Sequence, residues 1–209
     1  MKKQLLIVSM ILGLAHMVWA QPAGSLDLSF GNAGKVVSSF SSSIERANAV
    51  GLQSDGKIVI AGFASYAATG KDFLVARYNA DGTLDATFGN NGSTTLDLQL
   101  GSDDIANSLV IDSQGRIIVA GNSDDGINKN AALVRFTVDG ALDVSFGNNG
   151  MVLLDLVSGQ QDEIKVIKQH LVSGKLIIGG QSASTSNIAL PVIARLSEDG
   201  IIDSTFNGI

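Results

Sequence analysis

Short runs of β-branched and other apolar residues recur along this chain, each closed by a cluster of Gly, Asp, Asn or Ser. In the first third they fall at 35–40, 47–53, 57–63 and 73–78, and apolar positions tend to alternate with polar ones. A period of two with turn residues between the runs predicts strands, not helices. Ser54-Asp55-Gly56 joins the second run to the third. Asp-Gly accepts the positive φ of a tight turn, so these two runs should form a hairpin. Over 162–172 helical and strand spacings compete, and alignment with the other units favours strand.

The same order of blocks returns three times. Gly24-Ser25-Leu26-Asp27-Leu28-Ser29-Phe30-Gly31-Asn32-Ala33-Gly34 reappears from Gly82 and from Gly140, and a worn copy opens at Gly200, with offsets of 58, 58 and 60 residues. Asp55-Gly56-Lys57-Ile58 and the Ala61-Gly62 that follows have counterparts from Gln114 and Ser173. Phe73 to Tyr78, with Arg77 as its charged member, has counterparts ending in Arg135-Phe136 and Arg195-Leu196. Each unit therefore reads as four short strands at a fixed period, which suggests propeller blades. The expected fold is all-β, an array of about three four-stranded antiparallel blades. The units run approximately 24–81, 82–139 and 140–199, with a partial fourth linker at 200–209.

Taken together, Gly-x-Leu-Asp-x-Ser-Phe-Gly-x-x-Gly, Asp-Gly-Lys-Ile-x-x-Ala-Gly and Arg-Tyr-Asn-x-Asp-Gly resemble the delta-60 repeat, a β-propeller family, over residues 24–208. The resemblance implies a propeller of the kind found in bacterial surface and secreted proteins. It implies no particular activity.

Composition and charge narrow the setting. Residues 2 and 3 are Lys, residues 5–18 are an apolar stretch, and Val18 and Ala20 sit where signal peptidase requires small side chains. We read 1–20 as a signal peptide, with export to the periplasm or exterior and no membrane insertion after cleavage; the stretch is shorter than the ~20 residues a spanning helix needs. The whole chain carries net charge −6; without Lys2 and Lys3, 12 basic face 20 acidic groups, net −8. Such a surface repels phosphate backbones and anionic lipid, which argues against nucleic acid as a partner. There is no Cys, so thiol catalysis and thiolate metal sites are excluded.

Candidate chemistry is sparse. Phe30, Phe88, Phe146 and Phe206 are the largest apolar groups of their linkers and should pack between neighbouring blades. Arg77, Arg135 and Arg195 each precede a linker Asp by eight residues. An Arg among apolar strand neighbours needs a partner, so we expect ion pairs Arg77–Asp85, Arg135–Asp143 and Arg195–Asp203 across the bend between strand and linker. Asp81, Asp85, Asp139 and Asp143 offer oxygens at alternating positions, as calcium loops do. The loop-closing Glu is missing, however, and turn-capping carboxylates are the plainer reading. His170, the one His beyond the leader, occupies a position aligned with Leu52 and Ile111 and reads as a frayed strand. The pairs Asp103-Asp104 and Asp162-Glu163 suit a glycosidase in principle, but are expected in a solvated loop.

No set of residues amounts to a catalytic site. The favoured class is a non-enzymatic scaffold or interaction module for a glycan, peptide or protein. The alternative is a lyase- or hydrolase-type propeller acting on polysaccharide with carboxylates, assisted by calcium. Three blades fall short of the four to eight of closed propellers. That leaves two expectations: a homodimer completing a six-bladed ring, or a piece of a longer propeller.

Overall fold

The computed structural model describes residues 23–184 and 188–206; the expected signal peptide and Asn207-Gly208 of the worn fourth linker lie outside them. Where the sequence alternates, the chain is extended: β1 (Glu45–Leu52), β2 (Ile58–Tyr66), β3 (Gly70–Tyr78), β4 (Ser93–Leu96), β5 (Asp103–Ile111), β6 (Ile117–Asp124), β7 (Lys129–Phe136), β8 (Met151–Leu154), β9 (Gln161–Gln169), β10 (Leu176–Ala183) and β11 (Ala189–Leu196). They form antiparallel sheets β1-β2-β3-β4, β5-β6-β7-β8 and β9-β10-β11, an open array of propeller blades. The Asp55-Gly56 turn closes as expected: Gly56 has φ 85° and its N–H donates to Gln53 O at 3.0 Å. Of residues 162–172, where two periodicities competed, 162–169 are strand as expected, while 170–172 belong to the hairpin turn that follows.

The sheets are one strand out of phase with the sequence units. Segment 35–40, expected as the first strand of blade 1, pairs with no strand of that blade and shows only a bridge between Gly31 and Lys35. Its counterparts β4 and β8 instead add to the outer edge of the preceding sheet, with Val75 opposite Thr94 and Leu133 opposite Val152. The linker dictates this. Asp85 N–H donates to Arg77 O (2.9 Å) and Arg77 N–H to Gly92 O (3.0 Å), so the chain folds back on the strand it has just left. The same pair of bonds joins Asp143 to Arg135 and Arg135 to Gly150.

Of the innermost strands, β5 adjoins β1 on one side and β9 on the other. Each contains a bulge that leaves one residue over: Asn48, Asn107 and Lys165. Asn48 Nδ2 donates to Ala106 O (2.8 Å) and Asn107 Nδ2 to Ile164 O (2.9 Å), tying each inner strand to the next. The bulge also explains the glycine of the Ala-Gly motif. A Cβ on Gly62, Gly121 or Gly180 would stand 1.8–1.9 Å from the carbonyl oxygen of Arg46, Ile105 or Glu163. No side chain fits there.

Between the sheets lie two apolar cores. Val59, Ala61, Phe73 and Val75 of blade 1 meet Ile117, Val119, Val134 and Phe136 of blade 2 around Phe88. Ile118, Ala120 and Leu133 of blade 2 meet Ile164, Ile167, Leu176 and Ile178 of blade 3 around Phe146. One face of each sheet thus packs on the opposite face of the next.

Candidate functional site

The linker residues and the strand-end arginines converge into a repeated clamp. Arg77 Nε donates to Asp85 Oδ2 at 2.8 Å, Arg135 Nε to Asp143 Oδ2 at 2.7 Å, and Arg195 Nε to Asp203 Oδ2 at 2.8 Å. Each guanidinium also stacks on the linker ring, 4.7 Å from Phe88, 4.8 Å from Phe146 and 4.8 Å from Phe206. One further donor crosses to the next blade: Arg77 Nη1 reaches Val138 O at 2.5 Å, and Arg135 Nη1 reaches Glu198 O at 2.9 Å. The ring wedges there too, because a Cβ on Gly140 would come 2.8 Å from Phe88, and one on Gly200 2.8 Å from Phe146. Phe30 stands against Gly82 in the same way, so it packs on blade 1. Linker, clamp and next turn form one joint.

The composition of the joint includes residues that sequence reasoning missed. Lys57 Nζ lies 3.2 Å from Asp85, Arg116 Nη1 4.0 Å from Asp143, and Lys175 Nζ 2.6 Å from Asp203. Each of these three carboxylates therefore has two cations. The signal was present, since a basic residue recurs after each hairpin turn, but nothing local says that it reaches a linker about 28 residues away. The carboxylates respond. Asp85 is held well below the ordinary carboxylate value, chiefly by the Thr87 hydroxyl, then by Lys57 and Arg77. Asp203 is held as low by Lys175 and Thr205. For Asp143 burial is the largest influence and pushes upward, but Ser145 and Arg135 together outweigh it.

The remaining candidates separate. Asp81 is exposed and accepts bonds from the N–H and hydroxyl of Thr83, while Asp85 accepts from Thr87. Asp139 gives its backbone carbonyl to Gly89 N–H (2.8 Å), and Asp143 accepts from Ser145. The side-chain oxygens of Asp81, Asp85 and Asp143 cap their own turns, and Asp139 O ties its turn to the preceding linker; among the described residues no three or more His, Asp or Glu side chains gather. Backbone register places Gln169, not His170, opposite Leu176, the position of Leu52 and Ile111. His170 instead begins a hairpin turn one residue longer than the others, exposed, with Nδ1 accepting from Ser173 N–H.

Asp103-Asp104 and Asp162-Glu163 are not in a solvated loop. They open β5 and β9, and Asp104 and Asp162 are fully buried. Asp103 pairs with Lys71, whereas Asp104 accepts Leu98 N–H (2.6 Å) and the Ser102 hydroxyl (2.6 Å). Neighbours on a strand point to opposite faces, so the two carboxyls cannot flank one bond. Burial pushes the Asp104 carboxyl up. It pushes Asp72 up as well, with Asp97 and Asp104 nearby adding to the effect.

Open grooves lie where hairpin tips of successive blades meet. One of about 540 Å³ runs between 52–55 and 111–115, with Val138 at its side. A second, about 390 Å³, runs between 111–116 and 169–174, with Glu198. The first is lined mainly by Ser, Gln and Asp, and the second mixes these with Arg116, Glu198 and the apolar Ile111, Leu171 and Val172. Residues 53–88, 113–146 and 173–206 match the sequence profile of a family described as a domain of unknown function (DUF5122) β-propeller. Each match runs from a hairpin tip to the linker phenylalanine. No curated protein matches the chain.

Proposed function

We propose that this chain is an exported, delta-60-type propeller scaffold that presents its interblade grooves to a polar ligand: a glycan, a peptide or the surface of a protein. The observation that carries this reading is the fate of the recurring charges. Arg77, Arg135, Arg195 and their Asp partners are engaged in joining blades. The hairpin-tip rim is one of the places where the units differ: Asp55 of the first stands where the second has Gln114, and the third carries His170-Leu171-Val172-Ser173. A conserved-geometry frame with variable rim chemistry suits recognition better than turnover, since loops on a rigid scaffold carry specificity. The N-terminal 20 residues support delivery outside the cytoplasm, where such ligands are met.

The test is a binding screen of the exported protein against glycans, peptides and small metabolites, with thermal stabilisation as readout and a parallel arm in EDTA. A ligand should stabilise the wild type, and its effect should fall in a Gln114→Ala, Ser113→Ala double variant while the melting curve without ligand is unchanged. Breakdown of a polysaccharide by the purified protein would overturn the scaffold reading. Binding that survives the double variant would overturn the assignment to the grooves.

A further inference from the structure

Blade 3 ends in an edge that the chain itself shows how to cover. In blades 1 and 2 the third strand is paired on its outer side by β4 and β8; among the described residues β11 has no such neighbour. Arg77 N–H donates to Gly92 O and Arg135 N–H to Gly150 O, but among the described residues Arg195 N–H makes no equivalent bond. Nor, among the described residues, does Arg195 Nη1 reach a carbonyl, as Arg77 reaches Val138 and Arg135 reaches Glu198. The apolar face beside this edge is uncovered: Ile193 is 64% exposed, while its counterparts Val75 and Leu133 are fully buried. A groove of about 540 Å³, lined by Ile193, Arg195, Ile202, Asp203 and Phe206, marks the place.

At the far side of the array lies the matching piece. Segment 35–38 is the counterpart of β4 and β8, has no partner strand among the described residues, and Val37 is 92% exposed. The linker before it carries the same Leu-Asp-x-Ser-Phe-Gly motif that twice covers this position within the chain. The adjoining face of blade 1, with Val50 and Leu52 exposed, corresponds to the face of blade 2 whose Leu109 and Ile111 pack into the first core. We infer that β11 pairs with segment 35–38 of a second copy of this chain, in the register of the two intrachain joints. This goes beyond ligand binding and is independent of it.

Carrying over the observed registers sets Ala194 opposite Lys35, Ile193 opposite Val36, Val192 opposite Val37 and Pro191 opposite Ser38 of the second copy. Pro191 stands where Phe73 and Ala131 stand, and its missing N–H removes one bond. The N–H groups of Ile193 and Arg195 remain, the latter aimed at Gly34 O. The incoming turn offers Ala80 O to Arg195 Nη1, as Val138 O and Glu198 O are offered inside the chain. Asp27 and Phe30 of the second copy are the counterparts of Asp203 and Phe206, so the two sets compete for Arg195 and the resident set gives way. Applied at both ends, the same joint makes two arcs of three blades into a ring of six, within the range at which propellers close.

The chain contains no Cys, so a Val37→Cys, Val192→Cys double variant reads the pairing directly. The exported full chain should run at twice the single-chain mass in light scattering, and the double variant should oxidise to a two-chain species on a non-reducing gel while neither single variant does. Val37→Lys combined with Ile193→Lys, both exposed in one copy, should abolish the two-chain species and leave the circular dichroism spectrum unchanged. A wild-type monomer, or a disulfide confined to one chain, overturns the inference. A ladder of higher multiples overturns the closed pair.

Discussion

Replacing each clamp arginine by alanine tests whether three chemically identical residues differ only through their surroundings. Arg135 has a side chain 1% exposed and donates to Asp143, Ser145 and Glu198 O. Its removal leaves Asp143 with a second cation no nearer than 4.0 Å, and opens a void beneath Phe146. Breaking a buried pair from one side costs about 3–5 kcal/mol, and Arg135→Ala should lie in that range. Arg77 is nearly as buried, at 4%, but Lys57 stands 3.2 Å from Asp85 and keeps the carboxylate partnered. Its loss should cost about 2–3 kcal/mol, nearer the sum of its hydrogen bonds. Arg195 is 27% exposed and Lys175 holds Asp203 at 2.6 Å, so Arg195→Ala should cost about 1 kcal/mol or less, as for exposed pairs. Urea unfolding followed by circular dichroism, at a concentration where single chains predominate, gives the three midpoints. Equal losses, or the largest loss at Arg195, would refute the view that burial and the second cation set the strength of each joint.

Gly121→Ala should destabilise by about 2–3 kcal/mol or distort β5, because its Cβ would meet Ile105 O at 1.9 Å; an unchanged urea midpoint would dismiss the bulge argument. In blade 2 the Ser102 hydroxyl is bonded to both Asp104 and Ser123, whereas in blade 3 Gln160 holds that position and Asp162 Oδ1 and Ser182 Oγ lack a protein partner. Gln160→Ser should therefore stabilise by about 1 kcal/mol, seen as a higher melting temperature. Acid should act in two directions. Asp85, Asp143 and Asp203 have lowered values, so their stabilisation is complete above the ordinary 3.8 and is lost as pH falls through their folded values below it. Asp72 and Asp104 have raised values and take up protons in the folded state first, so their contribution improves as pH falls toward 3.8. Urea midpoints measured against pH should hold steady or rise on approach to 3.8 and then drop; a curve flat below 3.8 would contradict the clamp assignment.

Much of the blade could be read from residues near one another in the chain. The hairpin of β1 and β2 follows from alternation on either side of Asp55-Gly56, and the linker phenylalanines announce themselves as the largest apolar groups between strands. Their burial at Phe88 and Phe146 is complete. Other features depend on contacts with no local trace. Asp104 looks like a loop residue beside Asp103, yet it is buried because Leu98 N–H, Ser102 and blade 1 close over it. His170 appeared aligned with aliphatic strand residues because the turn after β9 is one residue longer, a difference visible only once Gln169 is seen opposite Leu176.

By itself the amino-acid order determined the turns, the threefold recurrence and the strands other than that expected at 35–40, because φ preference at Asp-Gly and alternation of side chains act over a few residues. Only the tertiary structure decided which strands share a sheet. Segment 35–40 and its counterparts have the same local pattern as the strands that follow them, but the linker's bonds to Arg77 and Arg135 turn each counterpart back onto the preceding blade. Pairing partners are chosen by long-range hydrogen bonds and by the core each face can fill. For that reason, among the described residues, blade 3 carries an unpaired edge while a segment of matching design stands unpaired on blade 1.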